Sequence, residues 1–227
     1  MASSKAKTFL GRVWKTTKKI LLWLFILQFV YIVLLKWVNP PVTLTQLASW
    51  FSGQGLKRDY VGYAAMSSNA KLAVIAGEDQ LFPDHTGFDW RSIKKAMAYN
   101  KRKPGRVRGA STISQQVAKN VFLWQGKSFI RKGLEAYFTF MIENIWGKKR
   151  ILEVYLNVSE MGEGIFGIEK AAQLYFNKPA SRLNRQESAL IAACLPNPVR
   201  FKVKPASPYI GVRSRTIIRQ MNNLQSD

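Results

Sequence analysis

The chain has 227 residues, 47% of them hydrophobic, which excludes a largely disordered protein and leaves room for one domain of ordinary size beside a membrane segment. Its net charge of +22 implies a polyanionic partner: nucleic acid, anionic lipid headgroups or a phosphate-bearing substrate. A single cysteine and a single histidine exclude an intrachain disulfide and a zinc site of the usual spacing, so the 13 acidic residues are the candidates for catalysis.

The first predicted element is a membrane span at residues 20–38, with the sequence ILLWLFILQFVYIVLLKWV. Its only charge is Lys36 near the far end, and a bilayer core needs about 20 apolar residues in a helix. The alternatives are a cleaved signal peptide and a buried core helix. The run ends in Pro40-Pro41 rather than a small-residue cleavage site, and it has no polar face. We therefore predict a retained anchor.

The cations of the tail, residues 1–19, predict the orientation of this anchor. Six lysines and arginines precede the span, and the first acidic residue of the chain is Asp59. Positive charge favours the cytoplasmic side, so the expected location is the cytoplasmic (inner) membrane, single-pass, with the rest of the chain outside. A basic domain exported in this way is not expected to bind nucleic acid.

After a juxtamembrane segment, residues 39–67, the pattern is mostly helical and alternating strand patterns are scarce. Predicted helices lie at residues 69–78, from Trp90 to about Asn100 behind an Asp89 N-cap, from a Ser111 cap through Asn120, around 130–145 and 151–156, at 188–195 behind an Asn184–Glu187 capping box, and after Ser207-Pro208. The predicted fold class is mainly α, with one domain over residues 68–227.

The first candidate for chemistry is the acidic pair Glu78-Asp79, at the junction of a predicted helix and a loop rich in proline and glycine. Such a junction can expose a carboxylate to a cleft while apolar neighbours raise its pKa toward that of a general base. The alternative is an ordinary exposed acidic pair.

The second candidate is the helix at residues 111–120. Its polar face suits hydrogen bonding to sugars and phosphate oxygens, although a solvated helix face fits the pattern equally well. Two adjacent stripes form this face: Ser111, Gln115 and Lys119, and beside them Thr112, Gln116 and Asn120.

The third candidate is Lys127, Arg131 and Glu135, spaced by four on one predicted helix face. The last two could form only an i, i+4 salt bridge. With Lys119 and Lys132 nearby, however, the segment gathers cations that would stabilise a phosphate leaving group.

At these residues the chain resembles the peptidoglycan glycosyltransferases, family fifty-one of the glycosyltransferases. Four signatures occur in order: residues 78–89 (EDxxFxxHxGxD), 109–120 (GxSTIxQQxxKN), 131–135 (RKxxE) and 148–157 (KxxILExYLN). The similarity covers about residues 65–205 and includes residues 171–178, where Asn177 stands in place of a common glycine, and Leu195-Pro196-Asn197-Pro198. No transpeptidase domain follows, so the chain resembles the monofunctional branch of this family.

The resemblance implies a lysozyme-like two-lobed glycosyltransferase domain preceded by one transmembrane helix. It also implies that the enzyme polymerises lipid II into β-1,4-linked glycan strands and releases undecaprenyl pyrophosphate. Glu78 would be the general base for the acceptor 4-hydroxyl, in an inverting step. Glu135 would assist pyrophosphate departure, directly or through a divalent cation (Mg²⁺ or Mn²⁺). No organic cofactor is expected.

The same resemblance assigns substrate contacts and partners. The predicted substrate-binding residues are Ser111, Thr112, Gln115, Gln116, Lys119, Asn120, Lys127, Arg131 and Lys148. Expected partners are lipid II, the lipid-linked glycan strand, the membrane, and cell-division or elongation proteins. Glu153 is interpreted as structural.

Two alternatives belong to other functional classes. A lysozyme-like glycan-cleaving enzyme shares the fold and one essential glutamate, but it has no phosphate for the cationic face to hold. A non-catalytic basic binding protein leaves the matches at Glu78 and Glu135 unexplained.

Overall fold

The computed structural model describes residues 2–103, 105, 109–126 and 128–226, without the side chains of residues 2–10 and 226. Lys127, a predicted substrate contact, lies outside the described residues. The chain divides into two compact units, one up to Val38 and one from Asn39 onward, and each is described by itself.

The first unit is helix α1 (Ala2–Leu34). Its part from Gly11 to Leu34, 24 residues, is long and apolar enough to cross a membrane. The helix ends at Leu34 and residues 35–37 form a turn, whereas the predicted span continued to Val38.

The second unit is mainly helical, as predicted. Its helices are α2 (Leu44–Phe51), α3 (Ser68–Glu78), α4 (Trp90–Arg102), α5 (Ile113–Phe122), α6 (Phe129–Ile145), α7 (Lys148–Val158), α8 (Ile168–Phe176), α9 (Arg185–Cys194) and α10 (Pro208–Ser226). A small sheet holds β1 (Lys57–Arg58), β2 (Glu160–Gly162) and β3 (Ile165–Phe166). In it, the central strand β3 pairs parallel with β1 and antiparallel with β2.

Side-chain caps determine where several helices begin. Asp89 caps α4, and Asn184 with Glu187 forms a capping box on α9, both as predicted. The prediction that Ser111 caps α5 is wrong, because the cap is Thr112. The hydroxyl of Thr112 accepts from the Gln115 N–H, and the Gln115 side chain accepts from the Thr112 N–H. Threonine followed three residues later by glutamine completes a reciprocal pair that Ser111 cannot form with Ser114.

Two groups of helices form the interior of the second unit. α3 packs against α9 and α10, and α5 packs against α6 and α7. Gly77 permits a close approach in the first group, since a Cβ there would lie 3.2 Å from Cδ1 of Ile217 on α10. α2 contacts α5, so residues from 39 onward belong to the same compact unit as the helices after residue 68. The predicted domain boundary at residue 68 stays a prediction.

Candidate active site

Glu78 is the last residue of α3 and is largely enclosed, with 12% of its side chain exposed. The Gln116 amide on α5 donates to Glu78 Oε2 at 3.0 Å. Arg213 on α10 places Nη2 3.7 Å from Glu78 Oε1. Burial raises the pKa of Glu78, and the adjacent Asp79 adds to the rise, while Gln116 and Arg213 oppose it. The result is a carboxylate that binds a proton more strongly than an exposed glutamate does, which is the property expected of a general base.

Tyr155 on α7 determines which way the Gln116 amide faces. Its hydroxyl lies 3.3 Å from Gln116 Oε1, and burial raises the pKa of Tyr155 well above its ordinary value, so the phenol keeps its proton and donates. With the amide oxygen occupied by Tyr155, the amide nitrogen is directed at Glu78.

Asp79 has a different set of partners from Glu78. It is buried and accepts from His85 Nε2 at 2.9 Å and from the backbone N–H of Ile113 at 2.9 Å. The Gly87 N–H donates to His85 Nδ1, so the imidazole carries its proton on Nε2 and is the donor to Asp79. Asp79 thus connects the loop after α3 to the start of α5, whereas the partners of Glu78 lie on α5 and α10.

Glu135 is the centre of a cation cluster on α6. It is 2% exposed and pairs with Arg131 at 2.7 Å and with Lys132. Lys119 on α5 lies within electrostatic reach: burial lowers its pKa most, Glu135 raises it, and Arg131 and Lys132 lower it further. Three cations share one carboxylate, so the cluster keeps a net positive charge that suits a phosphate group.

A cleft of about 470 Å³ opens beside these groups. Gln116, Lys119 and Asn120 of the predicted polar face line it, and Glu78 is hydrogen-bonded to Gln116. The other lining residues are Thr45, Ala48, Ser49, Ser52, Gln54, Gln125, Tyr155, Ser159, Glu160, Leu195, Pro196 and Pro198. The cation Lys119 therefore lines the cavity, and the general base candidate Glu78 contacts one of the lining residues, Gln116.

A family model described as Transglycosylase matches residues 44–222. The chain belongs to the transglycosylase family. Relatives from Shigella boydii serotype 4 (strain Sb227), Escherichia coli (strain K12 / DH10B) and Salmonella agona (strain SL483), each named biosynthetic peptidoglycan transglycosylase, are 56% identical to it over 182 residues. The aligned part covers 79% of this chain and 75% of each relative.

The transglycosylase domain has a second, smaller cavity of about 230 Å³ that contains other predicted contacts. Ser111, Gln115 and Lys132 line it together with Ile93, Ala96, Met97, Asn100 and Ala110. Thr112 and Gln115 are buried and occupied in the capping box, and the Thr112 hydroxyl also donates to the Gly87 carbonyl at 2.7 Å. The predicted polar face is thus divided between two cavities, and its role in substrate binding stays a prediction.

Lys148, the first residue of the fourth signature, lies in a polar network. Its ammonium pairs with Glu143 at 2.7 Å, and Ser114 donates to the same Glu143 oxygen at 2.5 Å. The ammonium also lies 3.5 Å from His85 Nδ1. The predicted contact between Lys148 and substrate stays a prediction, since its present partners are protein groups.

Sequence reasoning missed the contribution of α2 to the transglycosylase cleft. Thr45 and Ser49 belong to the segment interpreted as juxtamembrane, yet both line the cavity, and Thr45 accepts from Gln125 at 2.7 Å. A local signal was available: Thr43 and Gln46 form a capping box three residues apart, which marks a helix start.

Among the described residues there is no group of three or more His, Cys, Asp or Glu side chains that could hold a metal ion. Both oxygens of Glu135 already face Arg131 and Lys132. These residues do not form a protein-borne metal site, and the expected Mg²⁺ or Mn²⁺ stays a prediction.

Proposed function

We propose that this transglycosylase polymerises lipid II into β-1,4-linked glycan strands of peptidoglycan, releasing undecaprenyl pyrophosphate with inversion at the anomeric carbon. The observation that carries the proposal is the enclosed carboxylate of Glu78, hydrogen-bonded to Gln116 in the wall of a cleft that also contains Lys119. The relatives' name, biosynthetic peptidoglycan transglycosylase, supports the same activity.

Glu78 is proposed to act as the general base. It takes the proton from the acceptor 4-hydroxyl as that oxygen forms a bond to the donor's anomeric carbon, and the bond from that carbon to the pyrophosphate oxygen breaks. Because burial raises its pKa, the carboxylate binds the proton more strongly than an exposed glutamate would. A single displacement without a covalent intermediate inverts the configuration from α to β.

The pyrophosphate leaving group is proposed to be stabilised by Lys119, Arg131 and Lys132. Fixed cations in a site with little water stabilise charge that develops in the transition state, because they need no reorganisation. Glu135 holds Arg131 and Lys132 in place through its two oxygens. A divalent cation, Mg²⁺ or Mn²⁺, is proposed on the strength of the family resemblance alone.

The apolar segment of α1 is proposed to anchor the enzyme in the cytoplasmic membrane with its N-terminus inside. The length of the segment and the preceding cations support this placement. Both substrates are held in the bilayer by their lipid tails, so an anchored enzyme meets them at a higher effective concentration. Cell-division or elongation proteins are proposed as further partners on the strength of the family resemblance alone.

The test is to supply the purified full chain with labelled lipid II and to separate the products by gel electrophoresis. A ladder of polymer that is degraded by lysozyme supports the proposal. Cleavage of finished strands without polymer formation would instead identify a glycan-cleaving enzyme. Repeating the assay with a chelator, then with Mg²⁺ or Mn²⁺ restored, tests the divalent cation.

A further inference from the structure

A base that is as enclosed as Glu78 has to remain ionised in order to work. Only 12% of its side chain is exposed, and burial is the largest cause of its raised pKa. If nothing opposed that effect, a larger fraction of the carboxylate would be protonated at any given pH, and less of it could accept the proton of the acceptor hydroxyl.

The charged and titratable groups around Glu78 come from several helices. Asp79, directly after α3, raises the pKa of Glu78, and it is already occupied by His85 and the start of α5. Tyr155 on α7 keeps its proton and is neutral. Arg213 on α10 is the cation that lowers the pKa of Glu78.

Cys194 on α9, a neighbour of Arg213, does not neutralise the charge of the guanidinium. Burial raises the pKa of the Cys194 thiol to about 11, so this group carries no charge at neutral pH. The positive charge of Arg213 is therefore available to Glu78, whose Oε1 lies 3.7 Å from Nη2.

The packing of α10 on α3 holds the guanidinium in this position. Arg213 Nη2 donates to the Gly77 carbonyl at 3.4 Å, one residue before Glu78. Ile217, one turn further along α10, packs against the bare Cα of Gly77, where a methyl group would lie 3.2 Å from its Cδ1. Because Gly77 lacks a side chain, the two helices approach closely enough for Arg213 to reach the end of α3.

We propose that Arg213, which lies outside the four signatures, is a positioning residue that keeps Glu78 ionised and directs its carboxylate between the guanidinium and the Gln116 amide. This inference rests on the proposed role of Glu78 as the base. Arg213 acts through Glu78, and its removal should change the pH dependence of turnover more than its maximum.

The experiment measures kcat/KM for lipid II polymerisation against pH in the full chain. Arg213→Met removes the charge but keeps a long side chain, and Arg213→Lys restores a charge. Arg215→Met, on the exposed side of the same helix, is the matched control. Since one pKa unit is a tenfold change in the protonation equilibrium, a rise of one unit should lower activity about tenfold on the acid side of the profile.

The expected result is that Arg213→Met moves the acid limb to higher pH with activity recovering at alkaline pH, while Arg213→Lys and Arg215→Met keep the wild-type limb. An unmoved limb, or an equal loss at every pH, would overturn the inference. If Arg213→Met does not fold, Arg213→Gln takes its place under the same criteria. Glu78→Gln in parallel separates the two ideas, because an active Glu78→Gln enzyme refutes the base assignment itself.

Discussion

Replacement of Glu78 by glutamine tests the proposed chemistry most directly. Glutamine keeps the size of the side chain, and its amide oxygen can still accept from Gln116, as Oε2 does at 3.0 Å. Its amide nitrogen then faces Arg213. The weak ion pair between the Glu78 carboxylate and the Arg213 guanidinium, which are 3.7 Å apart, is lost. The fold should survive, and the lost function is proton acceptance. We expect polymerisation to fall by roughly 10²–10⁴-fold, the usual contribution of a general base.

The assay follows polymer from labelled lipid II on a gel, with initial rates for wild type and variant at equal protein concentration. Circular dichroism checks that the variant is folded. Asp84→Asn is the control, because Asp84 is a nearby exposed acid at a variable position of the first signature, and it should stay active. Binding of an inhibitor that mimics the donor strand should largely survive in Glu78→Gln, since the predicted donor contacts lie elsewhere.

Polymerisation by Glu78→Gln within a few-fold of wild type would refute the assignment. Glu135 would then be the first residue to re-examine, as the other buried glutamate whose position matches a signature. Its carboxylate is occupied by Arg131 and Lys132, so a role as base would require these contacts to open.

Three further predictions concern stability, charge and topology. The pKa of Glu78 is higher in the folded than in the unfolded state, so ionisation of Glu78 destabilises the fold at pH values above the folded-state pKa. The free-energy cost is about 1.4 kcal/mol for each pKa unit that separates the two states. It disappears at pH values below the unfolded-state pKa. Glu78→Gln should therefore melt at a higher temperature than wild type at pH 8, with a gap that narrows toward pH 4 in calorimetry; a constant gap would contradict this. Lys119→Ala should lower polymerisation by about 10²-fold, whereas Lys202→Ala, at an exposed position, should leave it unchanged. Equally small losses in both variants would indicate that Lys119 is a solvated surface residue without a role in catalysis. A reporter that fluoresces only in the cytoplasm, fused after Asp227, should stay dark, and a bright signal would reverse the proposed orientation.

Features encoded over short stretches of sequence were predicted well. The spacing of apolar residues indicated the mainly helical class, and cap residues marked the start of α4 at Asp89 and of α9 at Asn184. The family followed from linear signatures, which the match over residues 44–222 confirms. These features are readable because a cap or a helical face involves residues only three or four positions apart.

Within the candidate site, the local residue pattern nominated the pair Glu78-Asp79, and the resemblance to a family assigned the base to Glu78. The structure adds that the two carboxylates have different partners, because Asp79 accepts from His85 and Ile113 while Glu78 accepts from Gln116. Likewise, the sequence placed Gln115 and Gln116 on one polar face, and packing divided them between two cavities. Neighbouring residues on a helix point in different directions, so the surrounding helices decide which of them meets a cleft.

The amino-acid sequence by itself thus determined the family, the helical class, the apolar segment and the acids and cations from which a site could be built. Tertiary structure alone decided that α2 lines the cleft and that Arg213 of the last helix reaches the end of α3. Both contacts join segments far apart along the chain, and the second depends on how closely α10 approaches Gly77. Such distances are set by side-chain packing between whole elements, which no local pattern of residues encodes.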